Sequence, residues 1–270
     1  MQIKIFMCPP TYYNKIDYEI NPWMKKGTEC ENTDAVAKWN ELNGIIKNLG
    51  AKVLTMDAQP GLPDIVFTAN AALIYKNKAI ISRFMHKERQ PEEKFYADWL
   101  KEQGFEVIFL PEDMHFEGAG DALFSGDTLY SGYVPRSDIS SHSTISEIFG
   151  ARIISLELIN PSYYHLDTCF CPLTDGYLLY YPEAFDEYGN RIIEANFPEE
   201  KRIAVNEEEA GAFSCNAVSI DKSAIMNKTT DRLKNVLKDK GFDLYEVDLK
   251  EFMKAGGSAK CLTLKLNEFE

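Results

Sequence analysis

Cys261, in GGSAKCLTL, and His165, in YYHLDTCFCPL, are the side chains of this 270-residue sequence best suited to nucleophilic and proton-transfer chemistry. Three acids, Asp64, Glu117 and Asp167, occupy comparable glycine-, proline- or histidine-marked turns. A cysteine, a histidine and several carboxylates are the parts of thiol catalysis. A free thiol, with a pKa near about 8.5, needs help to ionise at neutral pH. Carboxylates around it work against that, and are wrong for an anionic substrate. They suit a guanidinium, whose charge offsets theirs and whose planar fork accepts bidentate pairing. Each residue also has a plainer reading when taken singly. Glu117 and Asp121 lie in a glycine-rich turn where acids cap backbone amides. Asp64 follows Pro63 at a common turn site, and His165 could be a satisfied buried histidine. Cys261, ahead of an apolar strand, could be core. It is their combination that points to chemistry.

Those residues recur in register. A helical run at 34–49 ends at Gly50 before the strand-like 52–56, and a second, opened by Pro91, ends at Gly104 before 106–110. A third ends at Gly150 before 152–156, and a fourth ends at Gly241 before 243–247. Glycine closes a helix in the left-handed conformation at no steric cost, so helix, glycine, strand is one repeating unit. The spacings of 54, 46 and 91 residues leave room for a weaker copy, 188–196 followed by 202–205, in the last gap. Strand pairs intervene: ALIYKN with KAIISRF, and GDALFSG with DTLYSGYV, turning at Gly126 and Asp127. The reading is an α/β chain of five degenerate units of about fifty residues. Because LTLKL near the C-terminus can pair with QIKIFM near the start, closure into a ring is expected rather than an open solenoid.

A polar cluster follows each helix-ending glycine by some 13 to 20 residues, at 63–70, 116–121 and 164–169, with weaker or later copies at 213–216 and 256–261. Units arranged about an axis would bring all five clusters to one centre. Around that centre Cys8, Cys169, Cys171 and Cys215 read as core or wall. No CxxC occurs and only four histidines are present, which argues against a zinc site or a disulfide framework. A formal charge of -13 with no basic stripe argues against nucleic acid and fits a cationic small-molecule partner. The start lacks a signal-peptide pattern and no stretch reads as a membrane span, so a cytoplasmic protein is expected, free of membrane. No cofactor or metal is expected, and nothing argues against a homo-oligomer.

PDIVFTANAAL, FEGAGDALF, YYHLDTCFCPL and GGSAKCLTL together resemble the guanidino-group-modifying superfamily of penteins, over residues 2 to 265. That superfamily contains arginine deiminases, dimethylarginine dimethylaminohydrolases, amidinotransferases and arginine dihydrolases. The resemblance implies a five-bladed pentein α/β propeller of ββαβ repeats, a single catalytic domain over 1–270. It implies that Cys261 attacks the guanidinium carbon, and that His165 protonates the departing amine and then activates water. By the same resemblance Glu117 orients the histidine or grips the guanidinium, and Asp64 and Asp167 bind the guanidinium. Arg89, in HKERQPEE, and Arg136, in YVPRSD, match positions that hold an α-carboxylate; their residue types alone fit surface charge equally well. Position 70 departs from deiminases and dimethylarginine hydrolases, which place an acid there. Asn70, together with Asn21 in YEINPWM, is similar to the arginine dihydrolase branch, which takes arginine to ornithine, two ammonia and carbon dioxide. The other hydrolases, an amidinotransferase, or a non-catalytic pentein binding protein are the alternatives; the last lacks the Cys and His.

Overall fold

Fifteen short strands and seven helices make up the described part of the chain, residues 2–269 of a computed structural model; the two end residues of the expected 1–270 domain lie outside it. Strand β1 (Lys4–Met7) leads through a covering arm to helix α1 (Asn32–Asn48) and β2 (Lys52–Thr55). Next come β3 (Ala72–Tyr75), β4 (Lys78–Ile81), α2 (Glu92–Glu102) and β5 (Glu106–Phe109). They are followed by β6 (Ala122–Ser125), β7 (Thr128–Tyr133), α3 (Ile139–Phe149) and β8 (Arg152–Glu157). A fourth set is β9 (Phe170–Pro172), β10 (Leu178–Tyr180), α4 (Glu187–Asn196) and β11 (Arg202–Ala204). After α5 (Glu207–Gly211) come β12 (Val218–Ile220), β13 (Ser223–Met226), α6 (Asp231–Asp239) and β14 (Asp243–Glu246); α7 (Lys250–Met253) and β15 (Leu264–Lys265) finish the chain.

The strands form five three-stranded sheets, one per repeat. In four of them the first two strands are an antiparallel hairpin, and the third returns parallel to the second after a helix. A parallel return needs a long crossover, which is why every unit carries a helix between its last two strands. The remaining sheet is assembled from both ends of the chain. β15 pairs antiparallel with β1, Ile5 opposite Lys265 and Phe6 opposite Leu264, and β1 pairs parallel with β2. The expected closure is therefore a five-bladed ring sealed by the two termini.

The four capping glycines, Gly50, Gly104, Gly150 and Gly241, all take positive φ, so the signal that defined the repeat is real backbone geometry. The weak unit is the exception. Helix α4 stops where Phe197 turns extended ahead of Pro198, which cannot continue it. Three buried apolar clusters fill the space between blades and their helices. In one of them Phe6 stacks on Trp99 of α2, ring centroids 4.0 Å apart, and ties the terminal blade to its neighbour. Burying a ring of that size contributes about 1.5–3 kcal/mol. No helix of the described residues is long and apolar enough to cross a membrane.

Candidate active site

Each polar cluster forms a tight turn ahead of the first strand of its blade. Pro63–Val66 and Thr68–Asn70 precede β3, Gly118–Gly120 precedes β6, and Leu166–Thr168 precedes β9. These turns pack on one another, so the fivefold register converges on a common centre. Close approach is bought by glycine: a Cβ on Gly120 would lie 2.2 Å from the Asn70 amide, and one on Gly257 would lie 2.4 Å from the Phe67 ring.

Cys261 sits at the end of the turn that starts at Gly256. Its carbonyl accepts from Ala69 N at 3.0 Å, joining the last cluster to the first, and its own N–H donates to Asn216 Oδ1 at 3.1 Å. Its Sγ lies 3.4 Å from Asp167 Oδ2 and receives Asn216 Nδ2 at 3.1 Å. Burial, and then the Asp167 carboxylate, push the thiol well above its ordinary pKa. Burial also pushes Asp167 up to about 7, against the opposing charge of Lys260. A positive charge beside the pair would lower both values.

His165 Nε2 is 2.7 Å from Glu117 Oε2, and Arg136 Nη1 donates to the same oxygen at 2.9 Å. Burial alone would raise the Glu117 pKa, but Arg136 and His165 overcome it and hold the carboxyl well below its ordinary range. Behind them Asp121 accepts from Ser137 Oγ at 2.5 Å and from Leu166 N at 3.1 Å, fixing the residue next to the histidine. Asp121 thus supports the turn, as its setting among glycines suggested.

Six of the nine expected residues, Asn21, Asp64, Asn70, Arg89, Arg136 and Cys261, line one narrow cavity of about 10 Å³. The other three stand behind it: Glu117 on Arg136 and Asp167 on Cys261, each one contact away, and His165 on Glu117, two contacts away. Burial raises the Asp64 pKa, against the charge of Arg89 and the hydrogen bond from Tyr18. Asn70 is held by both ends of its amide. Its Nδ2 donates to the Glu117 carbonyl at 3.0 Å, and its Oδ1 accepts from Arg89 Nη1 at 3.0 Å. Neither arginine is a surface charge: both are buried, Arg89 on Glu92 and Arg136 on Glu117.

The arm between β1 and α1 covers this cavity. Tyr18 Oη donates to Asp64 at 3.0 Å and Asn21 Nδ2 to the Ala255 carbonyl at 3.0 Å. Trp23 Nε1 donates to the Ser162 carbonyl at 2.7 Å, while Arg136 Nη2 donates to the Ile20 carbonyl at 2.6 Å. A slot of this volume has room for about one water.

Tyr18, Tyr164 and Asn216 were not among the expected site residues. Asn216 and Tyr164 could have been found, since one closes the weak fourth cluster and the other opens the third; Tyr18 carries no signal beyond being aromatic. Among the described residues no group of three or more His, Cys, Asp or Glu side chains is arranged to hold a metal ion.

The sequence profile of N,N dimethylarginine dimethylhydrolase, eukaryotic, matches residues 11–268. The chain belongs to this family. It is 35% identical over 261 residues to the N(G),N(G)-dimethylarginine dimethylaminohydrolase of Mycobacterium tuberculosis, covering 97% of this chain and 85% of that protein. It is 49% identical over 269 residues to the bifunctional arginine dihydrolase/ornithine cyclodeaminase ArgZ of Synechocystis sp., covering 98% of this chain. The match spans 38% of the length of that protein. The solved N-terminal domain of ArgZ, in a cysteine-to-serine variant bound to substrate, superposes with a TM-score of 0.96 at 49% identity, covering 98% of each chain. The fold of the family is thus the five-bladed pentein ring with arginine dihydrolase and dimethylarginine dimethylaminohydrolase branches, as the motifs implied.

Proposed function

We propose that this chain is a cytoplasmic hydrolase of linear amidines, residues 1–270 acting as one catalytic domain, and that it takes arginine to ornithine, two ammonia and carbon dioxide. The observation that carries the reading is the narrow cavity that Cys261 lines together with Asp64, Asn70, Arg89 and Arg136. Asp64 in the cavity and Asp167 on the thiol, both buried, suit a cation such as a guanidinium, while Arg89 and Arg136 suit a carboxylate.

In this reading the guanidinium lies between Asp64 and Asp167, and Arg89 and Arg136 hold the α-carboxylate, each exchanging a present contact for it. The substrate cation lowers the Cys261 pKa, and the thiolate attacks the guanidinium carbon. His165, oriented by Glu117, delivers a proton to the leaving nitrogen, and ammonia departs. Water activated by the same histidine then attacks the S-alkylthiouronium, and the tetrahedral adduct expels the Cys261 thiolate to leave a ureido group. A second attack by Cys261 on the resulting ureido carbon expels the second ammonia and leaves an S-linked thiocarbamate. Hydrolysis of that adduct gives a carbamate, which breaks down to ornithine and carbon dioxide.

The dihydrolase branch is favoured over a deiminase or a dimethylarginine hydrolase by two amides. Asn70 and Asn21 line the cavity at positions where an acid would add charge. The 49% identity to a relative named for arginine dihydrolase activity supports the same choice. Product analysis tests it: the chain incubated with arginine should release ornithine and ammonia, and Cys261→Ser should release neither. Citrulline as the sole product would overturn the dihydrolase assignment. Dimethylamine released from dimethylarginine, with arginine untouched, would move the chain to the other hydrolase.

A further inference from the structure

Asn216 is fully buried in the turn that closes the weak fourth cluster. Its carboxamide touches the nucleophile twice. Oδ1 accepts from the Cys261 N–H at 3.1 Å, and Nδ2 donates to Cys261 Sγ at 3.1 Å and to the Asp167 carbonyl at 3.0 Å. Its backbone carbonyl also accepts from Lys260 N at 3.2 Å. The orientation of the amide follows from this network. Swapping its oxygen and nitrogen would set two acceptors together at Asp167 and two N–H groups together at Cys261.

Burial and the Asp167 carboxylate oppose ionisation of the thiol, while a backbone hydrogen bond at Ser258 favours it alongside Asn216. Asp167 Oδ2 lies 3.4 Å from the same sulfur, and the Tyr164 hydroxyl is on the Gly256 carbonyl. Asp64, Arg89 and Arg136 line the shared cavity, and Lys260, the preceding residue, acts on Asp167. A thiol is a weak acceptor and a thiolate a strong one, so a fixed N–H aimed at sulfur favours the ionised form selectively. Because the donor is already in place, it costs little reorganisation when charge appears.

We propose that Asn216 is the side-chain donor that, beside the backbone hydrogen bond at Ser258, makes Cys261 ionisable, its Nδ2–H stabilising the thiolate and its Oδ1 fixing the turn that aims Sγ into the cavity. The inference rests on Cys261 being the nucleophile. It concerns the sulfur alone, so it separates from the choice of substrate.

The test follows the rate of Cys261 alkylation by iodoacetamide between about pH 7 and 10, assigned by peptide mass, in the wild type, Asn216→Leu and Asn216→Asp. Leucine keeps the shape and removes the donor without adding charge; aspartate keeps the acceptor and removes the donor. Both should alkylate at least tenfold more slowly at pH 8, with the pH midpoint displaced upward by a unit or more. With arginine, kcat should fall in parallel while KM moves less than threefold. A midpoint raised by Asn216→Asp alone would assign the effect to added charge and overturn the proposal, as would lower thermal stability with an unmoved midpoint. Asn216→Ala replaces the leucine variant if that fails to fold. If the wild type leaves arginine unchanged while the midpoint still tracks residue 216, the proposed function fails and the role of Asn216 stands. Turnover with an unmoved midpoint gives the reverse.

Discussion

His165 Nε2 and Glu117 Oε2 lie 2.7 Å apart inside the ring, and the same carboxylate oxygen accepts from Arg136. One acid therefore holds both His165, the proposed proton-transfer group, and a wall of the cavity. Glu117→Gln keeps the shape but leaves the Arg136 guanidinium buried without a counter-charge. We predict that kcat/KM with arginine falls about 100- to 1000-fold, and that stability falls by roughly 3–5 kcal/mol at neutral pH. The folded-state pKa of Glu117 is depressed, so its contribution is complete above its ordinary value and is lost as pH falls below it. The melting-temperature gap between wild type and variant should be constant from about pH 6 to 8 and shrink below about pH 4. A gap independent of pH would remove the ion pair from the account.

Asn70→Asp loses the donor to the Glu117 carbonyl while keeping an acceptor for Arg89. It also adds a carboxylate to a cavity already holding Asp64. We expect the product balance to move from ornithine towards citrulline, with total turnover lowered by about tenfold, or about 1.4 kcal/mol. Chromatographic separation of the two amino acids after single and multiple turnovers checks it. An unchanged ratio would count against Asn70 as the residue that sets the branch.

Asp167 is held at about 7 by burial, so folding charges it at a cost. The sign is opposite to that of Glu117. At pH values above 7 the carboxylate is ionised in both states and the cost is full; below about 4 it is protonated in both and the cost disappears. Asp167→Asn should therefore melt higher than the wild type at pH 8, by about 2–4 °C per kcal/mol regained, and lose the advantage towards pH 4. The same variant should be nearly inactive with arginine. Calorimetry across pH, paired with an activity assay, separates this trade from simple damage, which would lower the melting temperature at every pH.

The legible parts of the molecule were those with a periodic or chemical signature. Gly50, Gly104, Gly150 and Gly241 marked helix ends because left-handed backbone is costly for other residues, and the chain ends could be paired because LTLKL and QIKIFM are apolar strands without other partners. The hairpins β9–β10 and β12–β13 were missed. The first turns through Thr174–Gly176, with Asp175 at φ 58°, so its Asp-Gly turn signal was present between two apolar runs. Cys261, His165 and the acids were legible because charge and thiol chemistry limit what their combination can do. Tyr18 was not, since a phenol acquires meaning only from the atoms it faces, and Tyr18 faces Asp64 from 46 residues away; Asn216 was marked only by its place at the end of the weak fourth cluster.

The covering arm gives a further prediction. Trp23 Nε1 donates to the Ser162 carbonyl at 2.7 Å, and its ring rests on Phe213. Trp23→Phe removes a hydrogen bond contributing about 1 kcal/mol, so amide exchange over residues 16–27 should quicken roughly fivefold. KM for arginine should rise several-fold with kcat changed less. Exchange and KM both unaltered would show that this contact does not hold the cover closed.

The central claim is that Cys261 becomes covalently bonded to the carbon that arginine loses. Acid-quenched turnover followed by peptide mass spectrometry tests it directly. The account predicts an adduct on the Cys261 peptide with the mass of arginine less one ammonia, absent in Cys261→Ser. Arginine consumed with no adduct on that peptide, or with an adduct on Cys169 or Cys171 instead, would contradict it.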